Sequence, residues 1–143
     1  MLAGLILLQI ILLAGVSARA DQKDVTALRA SEMAKGGDVT LVDVRSAAEW
    51  RSTGVARGAR TVTIHDPKGA AGFVAHMTEA VGGDRSKPIA VICARGNRSL
   101  RAQTILRKAG FTNVYNVADG MLGRGAAMGW IGSGLPVEKC TKC

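Results

Sequence analysis

Aromatic side chains are scarce in this chain: two Phe, two Trp and one Tyr among 143 residues, or 3%. A core built from it must therefore be aliphatic, filled by Ala, Gly, Val and Leu. No internal repeat or low-complexity linker divides the chain, so its length fits one domain able to bury most of its apolar side chains. Charge is one-sided, with 19 Lys and Arg against 11 Asp and Glu and a net +8. The basic residues are scattered and no nucleic-acid motif accompanies them, so they read as a solvated surface with local help for an anionic substrate. Only two His are present, His65 and His76. Nothing in the pattern fixes either one beside a cysteine. Of three Cys, Cys140 and Cys143 form a C-x-x-C pair, and zinc would need two further ligands that are not evident. A c-type haem would need a His after Cys143. No metal and no cofactor are expected.

No apolar run is long enough for a confident membrane span. Residues 2–16 are apolar apart from Gly and Gln9, and Ala18-Arg19-Ala20 follows with the small-x-small form of a signal-peptidase site. Residues 1–20 therefore read as a signal peptide. No Lys or Arg precedes the apolar run, which keeps an uncleaved N-terminal anchor as the alternative. Either way the domain, residues 21–139, is expected outside the cytoplasm, periplasmic or secreted, with no membrane contact after cleavage.

The informative stretch surrounds Cys93. Ile89 to Ile92 is a continuous apolar run after Pro88, as in a strand buried on both faces of a parallel sheet. Beyond it Ala102, Ile105, Leu106 and Ala109 recur at helical spacing, with Gly110 as a stop. Cys93 thus stands where a central strand passes through a short loop into a helix. The first turn of a helix offers unpaired N–H groups and the positive end of its dipole, so an anionic sulfur is stabilised there. Arg95 and Arg98 add positive charge, and Gly96 lets the loop curl so that successive N–H groups converge on the sulfur. A lone Cys at a strand end would read as structural; this company argues for a reactive one.

Cys93-Ala94-Arg95-Gly96-Asn97-Arg98-Ser99 resembles the active-site loop of rhodanese-type sulfurtransferases, in a likeness that covers residues 25–138. Leu41-Val42-Asp43-Val44-Arg45, Glu49-Trp50 and the glycine-bearing turn from Gly54 onward are similar to the family's first box. Gly110-Phe111, Asp119-Gly120, Trp130 and Gly134-Leu135-Pro136-Val137 are similar to its closing segment. Val55-Ala56 departs from the His-Ile that members often carry there. The resemblance implies an α/β fold, a rhodanese-like parallel sheet of about five strands flanked by helices on both faces. It implies a catalytic Cys93, a persulfide cradle of Ala94, Arg95, Gly96, Asn97, Arg98 and Ser99, and bracing roles for Asp43 and Arg45. The implied partners are a small anionic sulfur donor such as thiosulfate and a thiol or cyanide acceptor, with a thiol-bearing protein as a further candidate. Such chemistry needs no general base once the thiol is ionised.

The remaining elements follow from local pattern. Residues 24–28 suit a short edge strand, 29–35 one or two helical turns, 40–44 a buried strand and 47–51 a helical turn. Residues 59–64 suit a short strand. A helix over 72–81 gathers Phe73, Val74, Met77 and Val81 on one face, and 113–117 completes the sheet. Two other functions compete with sulfur transfer: a rhodanese-fold binding or redox module without turnover, and a relative of the phosphatases and arsenate reductases. The latter resemble a Cys loop one residue longer, whereas only Ala94, Arg95, Gly96 and Asn97 separate Cys93 from Arg98 here. The tail, residues 140–143, is expected to carry a disulfide in an oxidising compartment; a sharper reading has it take sulfur from Cys93 or resolve its oxidation.

Overall fold

In the computed structural model, which describes residues 23–143, the elements run β1 (Lys23–Val25), α1 (Ala27–Lys35), β2 (Thr40–Asp43), α2 (Ala47–Thr53), β3 (Val55–Ala56), β4 (Arg60–Thr61), α3 (Gly69–Ala80), β5 (Ile89–Ile92), α4 (Asn97–Lys108), β6 (Val114–Val117), α5 (Gly129–Gly132) and β7 (Val137–Glu138). The expected signal peptide at 1–20 lies outside the described residues. Five strands form one parallel sheet in the order β1-β6-β5-β2-β4. The fold class expected from the sequence is the one observed.

β5 lies at the centre and is buried throughout, which is why its four residues are apolar without alternation. Ile89 and Val91 face a cluster with Val42, Phe73 and Met77 of α3, and Ala102 and Leu106 of α4. Ala90 and Ile92 face the other side, against Ala27, Ala30 and Met33 of α1 and Trp130 of α5. Helices thus cover both faces, and each rests on mainly aliphatic side chains with one or two aromatic rings.

Several boundaries differ from the sequence expectations, each for a local reason. The first strand ends at Val25 because Thr26 caps α1, accepting from Arg29 N at 3.2 Å, while Ala27 N donates to buried Asp119 at 2.8 Å. α2 begins with a reciprocal capping box: Ser46 Oγ accepts from Glu49 N at 3.3 Å and Glu49 accepts from Ser46 N at 3.0 Å. The stretch 59–64 is a strand only at β4, although Val62 and Ile64 still donate to Asp43 and Val44. β3 and β7 form a separate antiparallel pair, pairing Val55 with Glu138 and Ala56 with Val137. Two residues per strand leave too little pattern for that pair to be visible in advance.

Candidate active site

Cys93 directly follows β5, at the carboxyl edge of the sheet where ligands of open α/β folds gather. It is 1% exposed and its thiol is free. Gly96 N donates to its Sγ at 3.2 Å, and Ser99 Oγ stands 3.3 Å away. Ser99 Oγ also lies 3.1 Å from the Gly96 carbonyl. Its single hydroxyl proton therefore has two destinations: the carbonyl when sulfur carries its own proton, or the sulfur when it is anionic.

The loop closes through Gly96, whose φ of 86° caps α4 in the left-handed region. A side chain there would also strike the Ala118 carbonyl oxygen. The loop is held from beneath by the glycine-rich segment 118–123. Met121 N donates to the Cys93 carbonyl at 2.8 Å and Leu122 N to that of Ala94 at 2.9 Å. Gly120 permits this approach, since a Cβ on it would come within 2.6 Å of the Cys93 oxygen.

The residues expected around the sulfur take distinct places. Ala94 is half-buried, and Asn97 is exposed at the start of α4. Arg95 is exposed, with one guanidinium N–H on the Gly123 carbonyl at 3.2 Å. Arg98 turns instead to α2, forming a two-pronged pair with Glu49 at 2.7 and 2.6 Å. The Arg98 hydrogen bonds hold the Glu49 carboxyl down at about 2, against desolvation and with help from Ser46. The same bond to Glu49 raises Arg98, which also feels Cys93 and Asp43. Glu49 carried no assigned role in the sequence reading; its signal was the Ser46-x-x-Glu49 capping pattern at the head of a helix.

Asp43 and Arg45 are fully buried beside one another. Arg45 Nη2 meets Asp43 at 2.7 Å and the Gly54 carbonyl at 2.7 Å, and Nη1 reaches Thr53 at 2.7 Å. These bonds tie the end of β2 to the far end of α2. His76 is bound to Asp66 at 2.9 Å on α3, and His65 is exposed, so neither is among the polar partners of Cys93. Cys140 and Cys143 form a disulfide with Cα atoms 5.7 Å apart. Among the described residues, no group of three His, Cys, Asp or Glu side chains is placed to hold a metal ion. No helix among them is long and apolar enough to cross a membrane.

Known proteins share this fold. The chain is similar to the solved structure of Rv0390 from M. tuberculosis, with 33% identity and a TM-score of 0.67 over 82% of this chain and 98% of that one. The polysulfide-sulfur transferase homodimer from Wolinella succinogenes gives 25% identity and a TM-score of 0.63, over 86% and 82% of the two chains. An uncharacterized protein of Rickettsia prowazekii (strain Madrid E) is 28% identical over 98 residues, 67% of this chain and 80% of the relative. The sequence model of the rhodanese-like domain matches residues 26–124, which run from the cap of α1 through the Cys93 loop to the glycine-rich segment beneath it. By that match, the chain belongs to the rhodanese-like domain family.

Proposed function

We propose that this protein is a sulfurtransferase that carries sulfane sulfur on Cys93. The observation that carries the reading is the single-sulfur cradle: a nearly buried Sγ with one backbone N–H and one hydroxyl directed at it. The Cys93 thiolate attacks the outer sulfur of thiosulfate or a similar donor, the S–S bond of the donor breaks, and sulfite leaves with the bonding pair. The negative charge then rests on the outer sulfur of a Cys93 persulfide, where loop N–H groups and the α4 dipole stabilise it. Cyanide or a thiolate removes that sulfur and restores the Cys93 thiolate, giving ping-pong kinetics. Arg95, exposed at the loop, supplies attraction for an anionic donor. The likeness to the polysulfide-sulfur transferase of Wolinella succinogenes favours the same class of chemistry.

Arg98 is taken up by Glu49, and a buried sulfur at the base of a short loop admits a terminal atom more readily than a tetrahedral phosphate. Negligible hydrolysis of aryl phosphates is expected. The near-complete burial of Cys93 also favours a second reading, a binding module of rhodanese fold without turnover. Mass spectrometry after thiosulfate treatment of the chain with its Cys140–Cys143 disulfide closed separates the two. A gain of about one sulfur atom at Cys93, abolished in Cys93→Ser together with thiocyanate formation, supports transfer. No adduct with any member of a sulfane-donor panel supports the module. Export to the periplasm or medium is part of the proposal, and fractionation of cells making a C-terminally tagged chain tests it.

A further inference from the structure

The disulfide of Cys140 and Cys143 has no part in the cycle above, yet it is held against the same helix as the Cys93 loop. Pairing of Val55 with Glu138 fixes where the tail leaves the domain. Beyond that point, Arg51 Nη1 of α2 donates to the Cys143 carbonyl at 2.7 Å. A cleft of about 620 Å³, lined by Arg51, Thr53, Gly54, Lys139 and Cys140, opens beneath the tail. The tail bridges this cleft instead of packing into the core, and Lys139, Thr141 and Lys142 are exposed. Both cysteines are half-buried, so the disulfide is open to exchange.

α2 is therefore gripped from two sides. Glu49 holds the Cys93 loop through Arg98, and Arg51, two residues on, holds the tail. From Glu138, which pairs with Val55, contacts lead back to the strand that Cys93 follows: the Gly54 carbonyl accepts from Arg45, Arg45 holds Asp43, and Asp43 lies beside Ile92 in the sheet. Five residues of extended chain beyond Glu138 reach roughly 17 Å. Opening of the Arg51 hydrogen bond frees Cys143 to swing along that path. Lys139 and Lys142 bring positive charge beside the pair, which draws an anionic persulfide.

Resting on the sulfurtransferase reading, we propose that the reduced Cys140/Cys143 pair is the acceptor built into this chain, and that it converts the Cys93 persulfide to sulfide. The Cys143 thiol gives its proton to the outer sulfur of the anionic Cys93 persulfide, and the resulting thiolate attacks that sulfur. The bond to Cys93 Sγ breaks, Cys93 departs as thiolate, and Cys143 carries the persulfide. The Cys140 thiolate then attacks Cys143 Sγ, which forms the disulfide and expels hydrosulfide. The transferred sulfur gains two electrons and the dithiol loses two, so the step balances. The disulfide in the structure is the product state, and an external dithiol reductant returns it to the dithiol by exchange.

The test is a single turnover of the full chain, reduced, freed of reductant and mixed anaerobically with one equivalent of thiosulfate. Expected is one equivalent of sulfide per chain, a new Cys140–Cys143 disulfide and unmodified Cys93, at a rate constant that, once Cys93 is loaded, is independent of protein concentration. A Cys140→Ser/Cys143→Ser double variant should instead accumulate the Cys93 persulfide, with sulfide release slowed at least about tenfold. Cys140→Ser alone should leave the sulfur on Cys143. If the reduced wild type keeps its Cys93 persulfide as long as the double variant does, the internal acceptor is wrong while the sulfurtransferase reading stands. Sulfide release from the already loaded chain at a rate constant that rises with protein concentration also overturns it, since transfer would then pass between chains. Failure of both proteins to form any persulfide overturns the sulfurtransferase reading and this inference together.

Discussion

Two arginine–carboxylate pairs stand on either side of α2 and do different work. Arg45–Asp43 is sealed, at 1% and 0% exposure, with Thr53 and the Gly54 carbonyl each taking a further guanidinium donor. Arg98–Glu49 is 28% and 33% exposed and borders the Cys93 loop. A sealed pair gains little over an apolar replacement but is costly to break by halves, because the survivor is a buried charge without a partner. A half-open pair is screened by water, and its worth lies in position more than in energy. The first therefore holds β2 to α2, and the second aligns the first turn of α4.

Breaking the sealed pair is the harshest test of that contrast. Asp43→Ala should lower unfolding free energy by about 3–5 kcal/mol, read as a fall in the denaturant midpoint. A loss below about 1 kcal/mol would mean that Arg45 finds water or another acceptor, and the pair would be no more than a surface bridge. Arg45→Ala should do comparable damage.

Gly96→Ala strikes the loop that the open pair aligns. Its φ of 86° strains any L side chain, and the added methyl meets the Ala118 carbonyl oxygen. Strain and overpacking together suggest a cost of roughly 2–4 kcal/mol, borne by moving the loop off segment 118–123. Persulfide formation from thiosulfate should fall by at least about tenfold in protein that still folds. Unchanged sulfur loading would show that the Gly96 N–H is not needed on the sulfur.

These two sites were unequally legible in the sequence. The Cys93 loop could be read because strand, turn and helix signals are contiguous there, and local chemistry sufficed to place the sulfur at a helix start. Its resemblance to a known family supplied the fold around it. Glu49 was not legible as part of the site, because its contact with Arg98 spans 49 residues and depends on how α2 sits over the sheet edge. The support from Met121 and Leu122 was hidden for the same reason: a glycine-rich run announces a turn but not what the turn lies against. The β3–β7 pair carried too few residues for any periodicity, and with it went the position of the tail.

The open pair yields a pH signature. Glu49 is held at about 2, below its ordinary 4.5, chiefly by the Arg98 hydrogen bonds. A depressed carboxyl contributes stability that is complete above about pH 4.5 and lost as pH falls towards 2. Glu49→Gln should remove that slope, with a loss near neutral pH of about 1–2 kcal/mol once screening of the exposed third is allowed for. Wild type and variant should converge in stability as the pH approaches 2. Parallel curves across that range would show that the pair is already broken in solution.

The weakest expected effect provides the lower end of the scale. Arg29 and Glu32 of α1 meet at 3.2 Å, with 60% and 69% of their side chains exposed. The contact is longer than the 2.7 and 2.6 Å of the other two pairs but still within hydrogen-bonding range, so it is exposure that chiefly sets it apart. Water competes for both groups here, and ordering two long side chains offsets much of the attraction. Glu32→Gln is the clean probe, because Glu and Gln have similar helix propensity, whereas Arg29→Ala would favour the helix and mask the lost pair. The expected change is within about 0.5 kcal/mol, and it should shrink further in high salt. A loss comparable to that of Glu49→Gln would show that burial does not set the order of the three pairs, and the contrast across α2 would then need another cause.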